Sequence, residues 1–247
     1  MYSHSHIHYY TGLSDAYIRA SLRELARIEP KRDLNYKKLF IFRIVAFFVL
    51  LAHFIIYLVV SGKRAFKNVS IYLSQWCHVL TLLTFFCLLI GRVDKKVTFS
   101  LNNLFGVTIS MSGVVLVIYW AWISKMLPYK STLQHYADGF MNTAGFLFLT
   151  IDFIFNRVYL KWAENTLLII FVYTFYCIVS TVTYVRFKLV IYRNITWDNW
   201  QSLLFALGST VASCILFTVF WWLQRKYKFT VREKERGTHP YVELGEN

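Results

Sequence analysis

Long apolar runs separated by short polar, charge-bearing connections set the pattern of this chain. Six runs stand out: Leu39–Val60, Ile71–Ile90, Leu104–Trp122, Phe140–Phe155, Leu167–Tyr184 and Leu203–Trp222. A helix needs roughly 20 mainly apolar residues, at ~1.5 Å each, to cross a ~30 Å hydrocarbon core. Five of the runs meet that length or nearly so; the fourth is shorter and carries Asn142 and Asp152. Lipid offers the backbone no hydrogen-bond partner, so each run is expected to close its own bonds as a helix. The pattern predicts an all-α, polytopic membrane protein with six transmembrane helices. Residues 1–38 form a tail containing an amphipathic helix, 39–223 the membrane domain, and 224–247 a C-terminal tail that runs from basic to acidic. No connection is long enough to fold as a domain of its own.

Polarity along the first tail is also periodic. Ser14 is a good N-cap for a helix running to about Ile28, with Pro30 as its stop. Ile18, Leu22 and Leu25 line one face, and Arg19, Arg23 and Arg27 line another. Such a basic amphipathic helix fits the headgroup region, a docking site on a partner, a mitochondrial targeting role, or a cap on the bundle's own end. Ahead of it, His4, His6 and His8 alternate and share a face if the chain is extended, as a metal site or as part of a polar tail. No apolar stretch of signal-peptide type precedes Leu39.

Composition sharpens the picture. The chain is 57% hydrophobic and 19% aromatic, with a formal net charge of +14. So basic a protein invites comparison with nucleic-acid binders, but no Lys/Arg stripe with interleaved exposed aromatics is present. The cations sit in loops and tails beside the spans, where anionic lipid headgroups are the expected partner. Arg43, Lys63, Arg64, Arg225, Lys226 and Lys228 are the candidate headgroup contacts, with Arg43 snorkelling from one turn inside the first span. Segments on the N-terminal side of the membrane hold 18 Lys/Arg against eight on the other. The positive-inside rule then places both termini in the cytosol or the mitochondrial matrix. Cys77, Cys87, Cys177 and Cys214 all fall inside spans and read as small apolar fillers.

Chemistry is sparse. No Gly-rich phosphate loop, HExxH, CxxC or GxSxG element occurs, and no cofactor is expected. Ionisable groups within spans are costly and are therefore candidates by default. His53 reads as a hydrogen-bonded core residue. Asp152 reads as a polar link between helices, facing Asn142, Asn156 or Arg157. Ser74 and His78 stand four apart on one face of the second span, the minimal nucleophile–base arrangement, and His135 is a second candidate base. Small residues mark packing faces: Gly106, Ser110 and Gly113 on the third span, and Gly208 and Ala212 with Ser209 and Ser213 on the sixth.

The stretch Tyr72, Leu73, Ser74, Gln75, Trp76 resembles the Tyr-Leu-Thr-x-Trp opening of the second span in the androgen-induced and rolling-stone family of six-span membrane proteins. Asn142 and Thr143, followed by Asp152, add to the resemblance, as do Ile191 and Tyr192 followed by Trp197 and Asp198. It covers roughly residues 39–223. Some members of that family hydrolyse lipid esters, with a span-two threonine as nucleophile and a histidine near the fourth span. The threonine falls on Ser74. The histidine falls near Gly139–Asn142, where this chain has none, and His135 stands four to seven residues earlier.

Two functions follow as expectations. One is a non-catalytic membrane subunit, in contact with lipid and other membrane subunits, within a larger assembly such as a respiratory complex of the mitochondrial inner membrane. The other is an intramembrane lipid-ester hydrolase using Ser74 with His78 or His135.

Overall fold

Six helices follow one another in the computed structural model, which describes residues 34–61, 72–90, 95–124, 132–156, 158, 160–187 and 200–229. They are α1 (Leu34–Ser61), α2 (Leu73–Ile90), α3 (Lys95–Ile118), α4 (Thr132–Phe155), α5 (Trp162–Phe187) and α6 (Trp200–Leu223). Widened π-helical turns extend α3 through Tyr119–Ile123 and α6 through Gln224–Phe229. The chain divides into two units, Met1–Phe40 and Ile41–Asn247. The packing described below belongs to the second.

All six helices are long and apolar enough to cross a membrane. The fourth, expected to be short, offers a full 20 residues, Tyr136–Phe155. Its helix starts well before the apolar run, and its polar residues are accommodated within it. Asn142 Nδ2, for example, donates to the Asp138 carbonyl at 2.7 Å.

Contacts fix an up-and-down order. Thr84 meets Thr108 and Thr81 meets Ser112, so α2 and α3 run antiparallel. Trp120 Nε1 donates to Thr143 Oγ1 at 2.9 Å, which sets α4 against α3. Trp162 meets Thr218 and Tyr173 meets Ser213, which sets α6 against α5. In α2 and α3, Thr81, Thr84, Thr108 and Ser110 also donate to their own carbonyls one turn back. Each hydroxyl is thereby satisfied inside its own helix, and can sit in an apolar interior at little cost.

The third helix is the axis of the bundle. Of its span 67% is buried, against 17% for α1. It packs on α2, α4, α5 and α6. Gly106 and Gly113 make this close approach feasible. A Cβ on Gly106 would run into the Asn165 amide of α5, and one on Gly113 into Leu216 of α6 and the Phe146 ring of α4. The small face expected on α3 is thus a packing face. The one expected on α6 splits. Ser209 and Ser213 are buried, while Gly208 lies on an open flank with nothing within 4 Å of a built Cβ. A helix has only one side toward α3, and residues one position apart point about 100° from each other.

Helix α1 lies on α2 and α4 largely through long side chains. Phe42 meets Phe85 and Phe148 edge-on, at 6.5 and 6.1 Å between ring centres. Ile41, Val45, Phe48, Ile55 and Val59 form an exposed apolar stripe, the face a bilayer would cover.

Candidate functional site

Two polar features stand out in this apolar interior: a clamp at the end where α1 begins, and a small cavity among α2, α3 and α4.

The clamp is built around Asp152, near the end of α4 and fully buried. Arg43 of α1 grips it with two nitrogens, Nε to Oδ1 at 2.6 Å and Nη2 to Oδ2 at 3.2 Å. Asn156, one turn further on, donates to Oδ2 at 2.6 Å and accepts the Val158 backbone N–H at 3.1 Å. From α6, Gln224 donates to the Val158 carbonyl at 2.6 Å and accepts the Leu160 N–H at 2.9 Å. One chain of bonds therefore joins α1, α4, the connection after α4, and the end of α6.

The expectation that Arg43 snorkels to headgroups is corrected here. It is buried against a carboxylate, because a paired guanidinium avoids the cost of an isolated charge in apolar surroundings. The link expected at Asp152 is present, with Asn156 as one partner and Arg43 in place of Asn142; Arg157 lies outside the described residues. Gln224, expected to open the C-terminal tail, is helical and buried. Replacing Gln224 by alanine strands the Val158 carbonyl and the Leu160 N–H. The expected cost is about 1–2 kcal/mol, and limited proteolysis should show faster cutting in the connection between α4 and α5.

The cavity holds about 10 Å³ and is lined by Ser74, Cys77 and His78 of α2, Ser112 of α3, and Asn142 and Gly145 of α4, among others. Ser74 and His78 are brought together, but no hydrogen bond joins them. The Nε2 of His78 faces away, to the Leu50 carbonyl of α1 at 3.1 Å, and its Nδ1 has no partner among the described residues. His53 behaves similarly, with one nitrogen at 3.1 Å from the Ala137 carbonyl of α4 and the other buried without a partner among the described residues. The two rings lie 5.8 Å apart. Each histidine uses a ring nitrogen to tie α1 to a neighbouring helix.

Just past Gln224, at the same end of α6, Arg225 lies over the Trp221 ring at 4.3 Å and Lys226 over the Trp222 ring at 4.9 Å. Both cations are exposed, as a headgroup contact needs. Ile18, Leu22, Leu25, Lys63, Arg64, the side chains of His135 and Lys228, and the histidines at 4, 6 and 8 lie outside the described residues.

Sequence reasoning passed over Asn165 and Gln224. Asn165 is fully buried and donates to Asn103 Oδ1 at 3.3 Å and to the Lys161 carbonyl at 2.8 Å, joining α5 to α3. The available signal was a polar amide at the edge of an apolar run, and many such residues simply face water. No protein-family model, curated protein or solved structure matches this chain.

Proposed function

We propose that the chain is a non-catalytic membrane subunit that packs into a larger membrane protein assembly, with an accessory role in a mitochondrial inner-membrane complex as its setting. One observation carries the non-catalytic part. The cavity beside Ser74 and His78 has room for about one water molecule, and the histidine's Nε2 serves as a helix tie. A lipid ester needs space for an acyl chain and a base bonded to the nucleophile. The outward stripe on α1 and the broad apolar flanks of α5 and α6 support contact with lipid and with neighbouring subunits. The aromatic-backed cations Arg225 and Lys226 support contact with anionic headgroups. The excess of basic residues on the side of the termini supports a matrix or cytosolic placement of both. The Arg-bearing N-terminal segment supports the mitochondrial setting.

A second reading rests on one feature: Ser74 and His78 line the same cavity, and the imidazole Nδ1 has no partner among the described residues. It is ester hydrolysis, by analogy with the androgen-induced and rolling-stone family. A single experiment separates the two. The tagged chain is released from mitochondrial membranes in digitonin, sized on a native gel, and incubated with a fluorescent acyl ester. The subunit reading expects a band far larger than one chain in its micelle, with companion proteins in fixed ratio and no turnover. A lone chain whose ester turnover disappears in Ser74→Ala defeats it.

A further inference from the structure

We propose that the cavity among α2, α3 and α4 is a resident water site, and that its water completes the hydrogen bonding of His78. Three observations meet there. His78 is 2% exposed, and its Nδ1 is buried with no partner among the described residues. A carbonyl can only accept, so Nε2, which faces the Leu50 carbonyl, carries the ring proton and Nδ1 presents a lone pair. Leu50 belongs to α1, whereas the cavity is lined from α2, α3 and α4, so Nδ1 is the nitrogen left to it. A buried acceptor left without a donor is costly, and a water removes that cost.

The lining has what a water needs. Thr81 donates its hydroxyl proton to the Cys77 carbonyl at 2.7 Å, so in its 3.4 Å contact with Ser112 it accepts. That leaves the Ser112 oxygen as an acceptor facing the cavity, and the Ser74 hydroxyl as a donor. A water donating to His78 Nδ1 and Ser112 Oγ, and accepting from Ser74, makes three bonds, the usual number for buried water. The free volume of about 10 Å³ matches one molecule. Apolar cavities of this kind stay empty; this one is polar on all three helices. The water joins α2 to α3 and holds the ring whose other nitrogen secures α1. This holds whether or not the chain belongs to an assembly.

The test uses radiolytic footprinting of the full chain in lipid nanodiscs, with a radical scavenger in the bulk solvent. X-ray pulses split bound water in place, and the hydroxyl radical oxidises the nearest sulfur. Met141 and Cys77 line the cavity, while Met111, fully buried on α3, does not. Met141 and Cys77 are expected to oxidise several-fold faster than Met111. Two variants remove the water by different routes. His78→Phe deletes the acceptor. Gly145→Ala places a Cβ about 3.2 Å from Thr81 Oγ1 and fills the space while leaving His78 intact. Met141 should fall to the rate of Met111 in both, and if one variant does not fold, the other decides. Equal rates for Met141 and Met111 in the unaltered chain, or a fast Met141 rate that persists in a folded variant, overturn the proposal.

Discussion

Replacing Asp152 by alanine is expected to lower the stability of the solubilised protein by about 3–5 kcal/mol. The carboxylate receives three short donor contacts, two from Arg43 and one from Asn156. Removing it leaves the Arg43 guanidinium buried on the inner face of α1 without its carboxylate partner. It also frees Asn156, and with it the link to the Val158 and Leu160 backbone groups and Gln224. Helix α1 should suffer first, because little of its span is buried and side-chain ties do much of the holding. The measurement is thermal unfolding in detergent followed by tryptophan fluorescence, with protease cleavage near α1 as a local readout.

A double replacement separates pairing from packing. Arg43→Met with Asp152→Leu keeps the volume and removes both charges. It should recover most of the lost stability, since a buried ion pair contributes little over well-packed apolar groups. If Asp152→Ala costs less than about 1 kcal/mol, the level of an exposed pair, then Arg43 reaches water or headgroups and the clamp does not hold α1.

Gly106→Ala is the next largest expected loss, at about 3 kcal/mol, the upper part of the range for overpacking a close-packed interior. The new methyl meets the Asn165 amide and, at 3.0 Å, the Phe217 ring. Neither can yield easily. Asn165 is held by Asn103 and Lys161, and Phe217 is fully buried. The axis helix would have to move away from α5 and α6 together. Gly113→Ala should cost less, because the obstacles there are the ends of Leu216 and Phe146. Gly208→Ala is the control: its flank is open, and alanine favours helix by up to about 1 kcal/mol. Melting temperatures should therefore rank Gly106→Ala lowest, Gly113→Ala next, and Gly208→Ala at or above the unaltered protein. Any other order means that α3 is not the close-packed axis.

The six crossings could be read directly from the amino acids, because transfer into lipid is a sum over neighbouring residues and backbone closure is local to each helix. The same holds for the small face of α3, where the spacing of Gly106, Ser110 and Gly113 follows the helical turn. Pairing across the fold could not be read this way. Arg43 and Asp152 are 109 positions apart, and nothing near Arg43 says that a carboxylate will stand beside it. The sequence left Arg43 two outlets, the headgroups or a partner, and only the register of α1 against α4 selected the second. Gln224 illustrates the same limit. A polar residue after an apolar run reads as the start of a tail, until the return of α6 beside the Val158 and Leu160 backbone groups makes it a plug.

The candidate site divides along this line as well. One helical turn sufficed to place Ser74 and His78 on a common face. Which way the imidazole donates was decided by α1, whose Leu50 carbonyl accepts the ring Nε2–H and leaves the other nitrogen to the cavity. Gly208 and Ser209 differ by one position and lie on opposite fortunes, open flank and buried seam. The residues alone determined what solvent each segment prefers, since that preference is a property of single side chains. The tertiary structure decided which polar groups meet, since meeting depends on how six helices are rotated and shifted against one another.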